Sequence, residues 1–343
     1  MISNNSSREG SILIVVLLVV AGAGVLLASL SKKVLIDHIS AQTLNSAYSS
    51  SSMIEGVENA AIYALQENLA EANPDTMHED WAYFSEDAQT INEALKSSDI
   101  NAQITDENSL FPINRLTYKE KNDKALFDLY SALFLRMTLN LLDAHEIGQD
   151  DFERGVLAKS FLTSIQSWCG APLKTHPDDT WYSEQEPKYR RANRKMLYPE
   201  ELNLVRWNGI SIEDKERVLY GEGPLPGLIN SITTFSEGPI NMNTAVPLII
   251  SSLNTNTDFD TNINYLEEVL EYRSNPENHF GGAWYKDIAV RMGIPTTNYP
   301  TKCLSVTSSI YRLTSTFQQG TATIERKTIL SIAAGSATFL MVY

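Results

Sequence analysis

The chain has 343 residues, of which 43% are hydrophobic and 20% are charged, and its formal net charge at pH 7 is −15. This length and composition are typical of one or two folded domains with a packed core, and they argue against a disordered chain. The acidic balance argues against nucleic acid as a partner, because binding to phosphates requires Lys and Arg.

Residues 11–30 carry no charge, and as a helix they would span roughly 30 Å, the thickness of the hydrocarbon core of a bilayer. A polar leader of residues 1–10 precedes this run, and Lys32 and Lys33 follow it. We predict a transmembrane helix over residues 11–31. A cleaved secretory signal and a plain single-pass anchor are the alternatives, and the run is long for a secretory signal.

Beyond the lysines, apolar residues recur at three- and four-residue spacings as far as Leu69. This pattern predicts one helix from about residue 11 to about residue 71, ended by Asn73 and Pro74 and loosened near the serines at 49–52. Residues 32–73 form its soluble half.

Two short segments then indicate strands. Residues 100–104 alternate, residues 105–109 form a turn, and residues 110–116 return as an apolar run. This pattern predicts a β-hairpin in which Pro112 marks an edge strand or a bulge.

Residues 117–299 are mostly helical in pattern. We predict helices over 125–142, 150–165, 198–205, 246–253 and 263–272, with a loop over 169–195. Asn243 or Thr244 is expected to cap the helix at 246–253. Residues 303–317, 321–332 and 338–343 alternate and are rich in β-branched residues, which predicts an antiparallel meander.

Few residues point to chemistry. The sequence contains none of the common catalytic motifs and its five histidines are scattered singly, so we do not expect an enzyme. Cys169 and Cys303 are either a disulfide or two separate buried thiols. The predicted loop at 169–195 contains four carboxylates that either bind calcium or are simply solvated. They belong to Asp178, Asp179, Glu184 and Glu186. Residues 258–264 are interpreted as a helix-capping loop rather than a cation site.

A leader that ends in Gly10 directly before an apolar helix resembles the signal of type IV pilins and type II secretion pseudopilins. The resemblance implies cleavage by a prepilin peptidase between Gly10 and Ser11, followed by methylation of the new terminus. Most pilins carry a glutamate at mature position five, where this chain has Val15. The K-type minor pseudopilin is a class that lacks this acid.

Further segments resemble K-type pseudopilins, among them residues 104–116 (ITDENSLFPINRL), residues 189–196 (YRRANRKM) and residues 240–245 (INMNTA). The first lacks the turn glycine of that family, and Lys195 stands where a proline is usual. The third is shared with the helix-hairpin-helix of DNA-binding competence proteins. Because residues 251–255 contain no glycine and no basic residue, we favour a structural role for it.

The resemblance implies an α+β fold, in which a pilin-like N-terminal helix packs on an antiparallel sheet formed by residues 74–116 and 300–343. An all-α domain (117–299, related to SAM or helix-hairpin-helix units) is inserted between the early and late strands. It implies a structural subunit at the tip of a type II secretion pseudopilus, anchored in the bacterial inner membrane with its C-terminal domain in the periplasm. Its partners would be other minor pseudopilins, the major pseudopilin filament and the prepilin peptidase, without nucleic acid. The alternatives are a minor pilin of a type IV pilus or competence system, or a membrane-anchored DNA-binding competence protein.

Overall fold

A computed structural model describes residues 6–69, 74–86, 99–117, 124–170, 179–254, 259–296, 299–319, 322–333 and 336–342 of the chain. The described residues form a long N-terminal helix, a four-stranded antiparallel sheet and a helical domain inserted between the first and second strands of that sheet. The α+β class predicted from the sequence is therefore confirmed.

The N-terminal helix α1 (Ser6–Leu69) is continuous over 64 residues. It passes through the serines at 49–52 without interruption, so the predicted loosening is wrong, because serine lowers helix stability by only a few tenths of a kcal/mol. Its N-terminal part, Val16–His38, has no residue buried against the rest of the chain and is apolar and long enough to cross a membrane. Near the C-terminal end of the helix, Val57, Ala61 and Leu65 recur every four residues and are buried against the sheet.

The sheet consists of β1 (Asp99–Asp106), β2 (Ile310–Gln319), β3 (Ala322–Ala333) and β4 (Ser336–Val342), in that order and with every pair antiparallel. The predicted closing meander is therefore confirmed, although its first strand begins at Ile310 rather than near Cys303. Alternate residues of β2 face α1, and among them Tyr311, Leu313 and Phe317 belong to the same apolar core as the helix.

The predicted β-hairpin at 100–116 is wrong. Strand β1 pairs along its whole length with β2, so that Asp106 lies opposite Tyr311. The turn Glu107–Ser109 leads the chain out of the sheet, and Phe111–Pro112 pairs in parallel with Ile232–Thr233 of the insert. Phe111 and the turn Ile113–Leu116 are buried in the core of the insert, which is a larger apolar environment than a hairpin edge offers.

The insert contains helices α2 to α8, which span Lys124–Ala144, Asp151–Trp168, Asp179–Glu184, Ile212–Tyr220, Pro247–Ser251, Phe259–Ser274 and Trp284–Arg291. The helices predicted at 125–142, 150–165 and 263–272 are confirmed. The side chain of Asp150 caps α3 by accepting from the backbone N–H of Glu153 at 2.8 Å. Helix α2 is also long and apolar enough to cross a membrane, but its apolar side packs in the core of the insert.

The described part of the chain has two separate apolar cores. One lies between α1 and the sheet, and the other fills the insert. Where the chain returns to the sheet, Leu304–Ser305 pairs in parallel with Ile240–Asn241 of the insert. The two cores therefore meet at a junction formed by the ends of β1 and β2 and by residues near 240.

Candidate functional site

Buried polar side chains fill the junction between the two cores. They come from four segments that are far apart in sequence: Asp75 beyond α1, residues 106–108 at the end of β1, residues 241–244 of the insert, and residues 308–312 at the start of β2. Two of these segments are among those that carry the resemblance described above. The junction is the largest set of buried hydrogen-bonded acids in the part of the chain that the structure describes.

Asp106 lies at the centre of the junction and is only 2% exposed. Its Oδ1 accepts from the backbone N–H of Asn108 at 2.7 Å, and its Oδ2 accepts from Asn241 Nδ2 at 3.1 Å. The hydroxyls of Thr244 and Ser308 also donate to Oδ2. Burial raises the pKa of Asp106 to about 6, although each of these hydrogen bonds opposes the rise.

Asp75 fixes the segment that follows α1. Its Oδ2 accepts from the backbone N–H of Ser308 at 2.6 Å, and its Oδ1 accepts from the hydroxyl of Tyr311 at 3.1 Å. The carbonyl oxygen of Asp75 also accepts from the side-chain amides of Asn241 and Asn243, at 3.1 and 3.2 Å. Burial raises the pKa of the Asp75 carboxyl. The insert and the start of β2 thus both bind the short segment around Asp75.

Asn243 does not cap a helix, and neither does Thr244, so this prediction is wrong. Helix α6 begins after Val246 without a side-chain cap. Its first residue is Pro247, which has no backbone N–H that would need a partner. The amide of Asn243 instead donates to carbonyls of three segments, and its Oδ1 accepts from Trp284 Nε1 at 2.8 Å. Both side chains are buried, so they are not exposed to a nucleic-acid phosphate.

The acid and amide of Glu107 and Asn108 connect the sheet with the insert. The Glu107 carboxylate is fully buried, pairs with Arg312 of β2 and accepts from the hydroxyl of Thr233 in the insert. Burial raises the pKa of Glu107, and the Arg312 guanidinium opposes that rise. Asn108 Oδ1 accepts from the backbone N–H of Ile310 at 3.1 Å, while its Nδ2 donates to Ser236 Oγ at 3.0 Å. Because these bonds are directional, the arrangement fixes the orientation of the insert on the sheet.

The sequence drew attention to the segments 104–116 and 240–245, which contain Asp106, Asn241 and Thr244, but gave no indication of Asp75 or Ser308. Both missed residues lie in irregular segments, where a polar side chain is ordinarily solvated. The only local signal was Pro74 before Asp75, which marks the end of a helix but does not indicate burial.

The predicted calcium loop is described only in part, since residue 178 lies outside the described ranges. The carboxylate of Asp179 pairs with Arg191 Nε at 2.8 Å, and Glu184 and Glu186 are exposed. Within the described ranges, no three His, Cys, Asp or Glu side chains are grouped as a metal site requires. The described carboxylates alone therefore do not fit calcium, and this site stays a prediction that depends on Asp178.

The remaining predicted site residues lie away from the junction. Gly10 and Ser11 are inside α1, which begins at Ser6. Cys169 and Cys303 are free and buried, and burial raises the pKa of each thiol to about 12. Cys169 lies beside Glu201 and Cys303 beside Tyr130, so the structure contains two separate thiols, the second of the two alternatives.

A membrane-length helix, an antiparallel sheet and a helical insert together define a pseudopilin-like fold. The chain shares this fold with a chain of the GspK–GspI–GspJ complex from the enterotoxigenic Escherichia coli type 2 secretion system, with a TM-score of 0.58 and 13% sequence identity. The likeness covers 88% of this chain and 98% of that one. No protein-family model and no curated protein matches the chain. At this identity the comparison shows the fold.

Proposed function

We propose that the chain is a K-type minor pseudopilin of a type II secretion system. It would be a structural, non-catalytic subunit at the tip of the pseudopilus that helps to start its assembly and so supports export of folded proteins. The observation that carries the proposal is the fold shared with a chain of the GspK–GspI–GspJ complex over 88% of this chain and 98% of that one.

The exposed apolar surface of α1 supports an anchored and then assembled subunit. All the side chains described between Val16 and His38 are exposed, and large aliphatic residues dominate this segment. An apolar surface of this size is unfavourable in water and needs either lipid or protein around it. The inner membrane would cover it before assembly, and helices of neighbouring subunits would cover it in the filament.

Val15 and the insert support a position at the tip. A glutamate at mature position five would neutralise the amino terminus of the subunit ahead, and this chain has valine there. A subunit with none ahead of it has no need of that acid. The insert is attached to the sheet through a buried polar junction, so it would move together with the filament subunit and widen it. Partners would then be other minor pseudopilins and the major pseudopilin filament.

The mature N-terminus tests the proposal. The full chain is expressed in a bacterial membrane with and without a prepilin peptidase, and the intact mass of the purified protein is measured. We expect a peptidase-dependent chain that begins at Ser11 and carries a methyl group. The variant Gly10→Val should remain uncleaved, while the matched control Gly22→Ala should be processed normally, because a Cβ at Gly22 meets no neighbouring atom. A chain that retains Met1, or one cut near Ser29, would refute the proposal.

A further inference from the structure

A groove of about 790 Å³ lies on the insert between α4, α5 and residues 206–211. A second depression of about 470 Å³ lies beside α3 and shares Arg206 and Asn208 with the first. The two form one continuous surface, which we call the Arg206 groove. The junction residues do not line it.

The walls of the Arg206 groove are fixed by packing. The ring of Trp207 stacks on Phe161 with centroids 3.9 Å apart, and its Nε1 donates to the carbonyl of Leu157 at 2.9 Å. The guanidinium of Arg206 lies 5.6 Å from the centroid of the Trp181 ring. A groove with anchored walls loses little conformational entropy when a ligand binds.

Large apolar side chains are exposed along the groove. Ile212 is 78% exposed and Val156 is 53% exposed, and both line it. Phe152, one helical turn before Val156, is 81% exposed. Apolar residues clustered beside a groove with a polar lining mark a binding surface, whereas single exposed ones do not.

The charge of the lining is opposite to that of the whole chain. Among the described residues that line the groove, Lys159, Arg206 and Lys215 are basic and Glu216 is acidic, while the chain as a whole carries a net charge of −15. Lys215 Nζ donates to the neutral carbonyls of Asn203 and Val205, at 2.8 and 2.6 Å. Burial lowers the pKa of Lys215 to about 8, so its amine is still mostly protonated at neutral pH.

We propose that the Arg206 groove binds an acidic polypeptide segment of a partner protein, one that carries large apolar side chains. The carboxylates of the segment would face Lys159 and Lys215, and its apolar side chains would cover Val156 and Ile212. A neutral oligosaccharide would use the aromatic walls but not the cations, so the charge of the lining favours a peptide. The proposal rests on the groove residues alone and holds whether or not the chain is a pseudopilin.

Fluorescence anisotropy with the full chain in lipid nanodiscs tests the proposal, with empty nanodiscs as the blank. The probe is a short labelled peptide of alternating Glu and Leu with one Phe. Two matched peptides replace Glu by Lys, or Leu and Phe by Ser. We expect the acidic apolar peptide to bind at least about tenfold more tightly than either. We also expect binding to weaken as salt rises, because salt screens exposed charges.

Matched variants place the binding on the groove. Val156→Ser and Lys159→Glu together should weaken the peptide about tenfold. The control pair Val290→Ser and Lys302→Glu, at exposed positions outside the groove, should leave binding within about twofold. Equal loss in both pairs, equal binding of the Lys peptide, or no binding at all would overturn the proposal. The proposal would also be overturned if the chain bound chitotetraose and the Val156→Ser, Lys159→Glu variant abolished that binding. It would equally be overturned if the chain associated with itself and only this variant removed the self-association.

Discussion

Asn241 is the side chain through which the junction can be tested most directly, because it touches both structural units. It is fully buried, and its Nδ2 lies 3.1 Å from Asp106 Oδ2, 3.1 Å from the carbonyl oxygen of Asp75 and 2.8 Å from Ser308 Oγ. Its Oδ1 accepts from the backbone N–H of Asn243 at 3.0 Å. The substitution Asn241→Ala removes all of these contacts and leaves a buried carboxylate with one donor fewer.

The expected loss of stability follows from those contacts. A hydrogen bond to a charged group contributes roughly 1.5–3 kcal/mol, and a buried polar group left without a partner costs roughly 1–3 kcal/mol. The amide of Asn241 has two N–H hydrogens for three acceptors, so the bonds do not add in full. Thr244 and Ser308 still donate to Asp106 in the variant. We therefore expect a loss of about 3 kcal/mol in the free energy of unfolding.

The measurement is urea unfolding of the full chain in nanodiscs, followed by tryptophan fluorescence. Trp81 lies in the sheet core and Trp284 in the insert, so the signal reports on both units. With a slope of about 3 kcal/mol per molar urea, the midpoint should fall by about 1 M. The matched control is Asn101→Ala, which removes an exposed amide from β1. A midpoint for Asn241→Ala no lower than that of the control would refute the argument.

Two further predictions concern ionisable groups. Burial raises the pKa of Asp106 from 3.8 to about 6 and that of Glu79 from 4.5 to about 7, so the folded chain binds protons more tightly than the unfolded chain. The free energy of unfolding should consequently fall as the pH rises from about 4 to about 7. Urea midpoints measured across this range should show the fall, and the Asp106→Asn variant should show a smaller one. A free energy of unfolding that rises with pH would contradict the raised pKa values of these two carboxyls. Burial also raises the pKa of both thiols to about 12, so neither Cys169 nor Cys303 should react with N-ethylmaleimide in the native chain at neutral pH. Both should react in urea without a reductant, and an intact mass with no adduct there would indicate a disulfide.

The sequence predicts elements well where the determinants are local. The length of α1 follows from its apolar run and spacing, and the helix predicted at 150–165 matches α3, which the structure shows to be capped by Asp150. The hairpin failed because alternation identifies a strand but not its partner. Strand β1 pairs with a strand more than 200 residues away, as the contact between Thr316 and Asn101, separated by 215 residues, illustrates.

The junction could be predicted only in part, for a related reason. Asn243 and Thr244 precede a helix, and the local pattern therefore favours a cap. Their actual partners belong to other segments, and the sequence does not bring those segments together. Asp75 and Ser308 are single polar residues in irregular segments, where nothing local distinguishes a buried acid from a solvated one. The residue types were thus visible in the sequence, but their contacts were not.

Two of the segments that resemble K-type pseudopilins, residues 104–116 and 240–245, meet at the junction, and the hydrogen bonds there explain why. The insert is connected to the sheet by two passages of the chain, at residues 106–107 and 305–310, and two passages alone would let a domain of this size rotate. An apolar contact would hold the insert without fixing its angle, because burial of apolar surface is not directional. Hydrogen bonds that link four segments, with Asp75, Asp106 and Asn108 as acceptors, are directional, and they select one orientation of the insert on the sheet. If the chain is the filament subunit proposed above, a fixed insert would present a constant outline to neighbouring subunits. The desolvation of the buried acids opposes this arrangement, and their hydrogen bonds offset that cost.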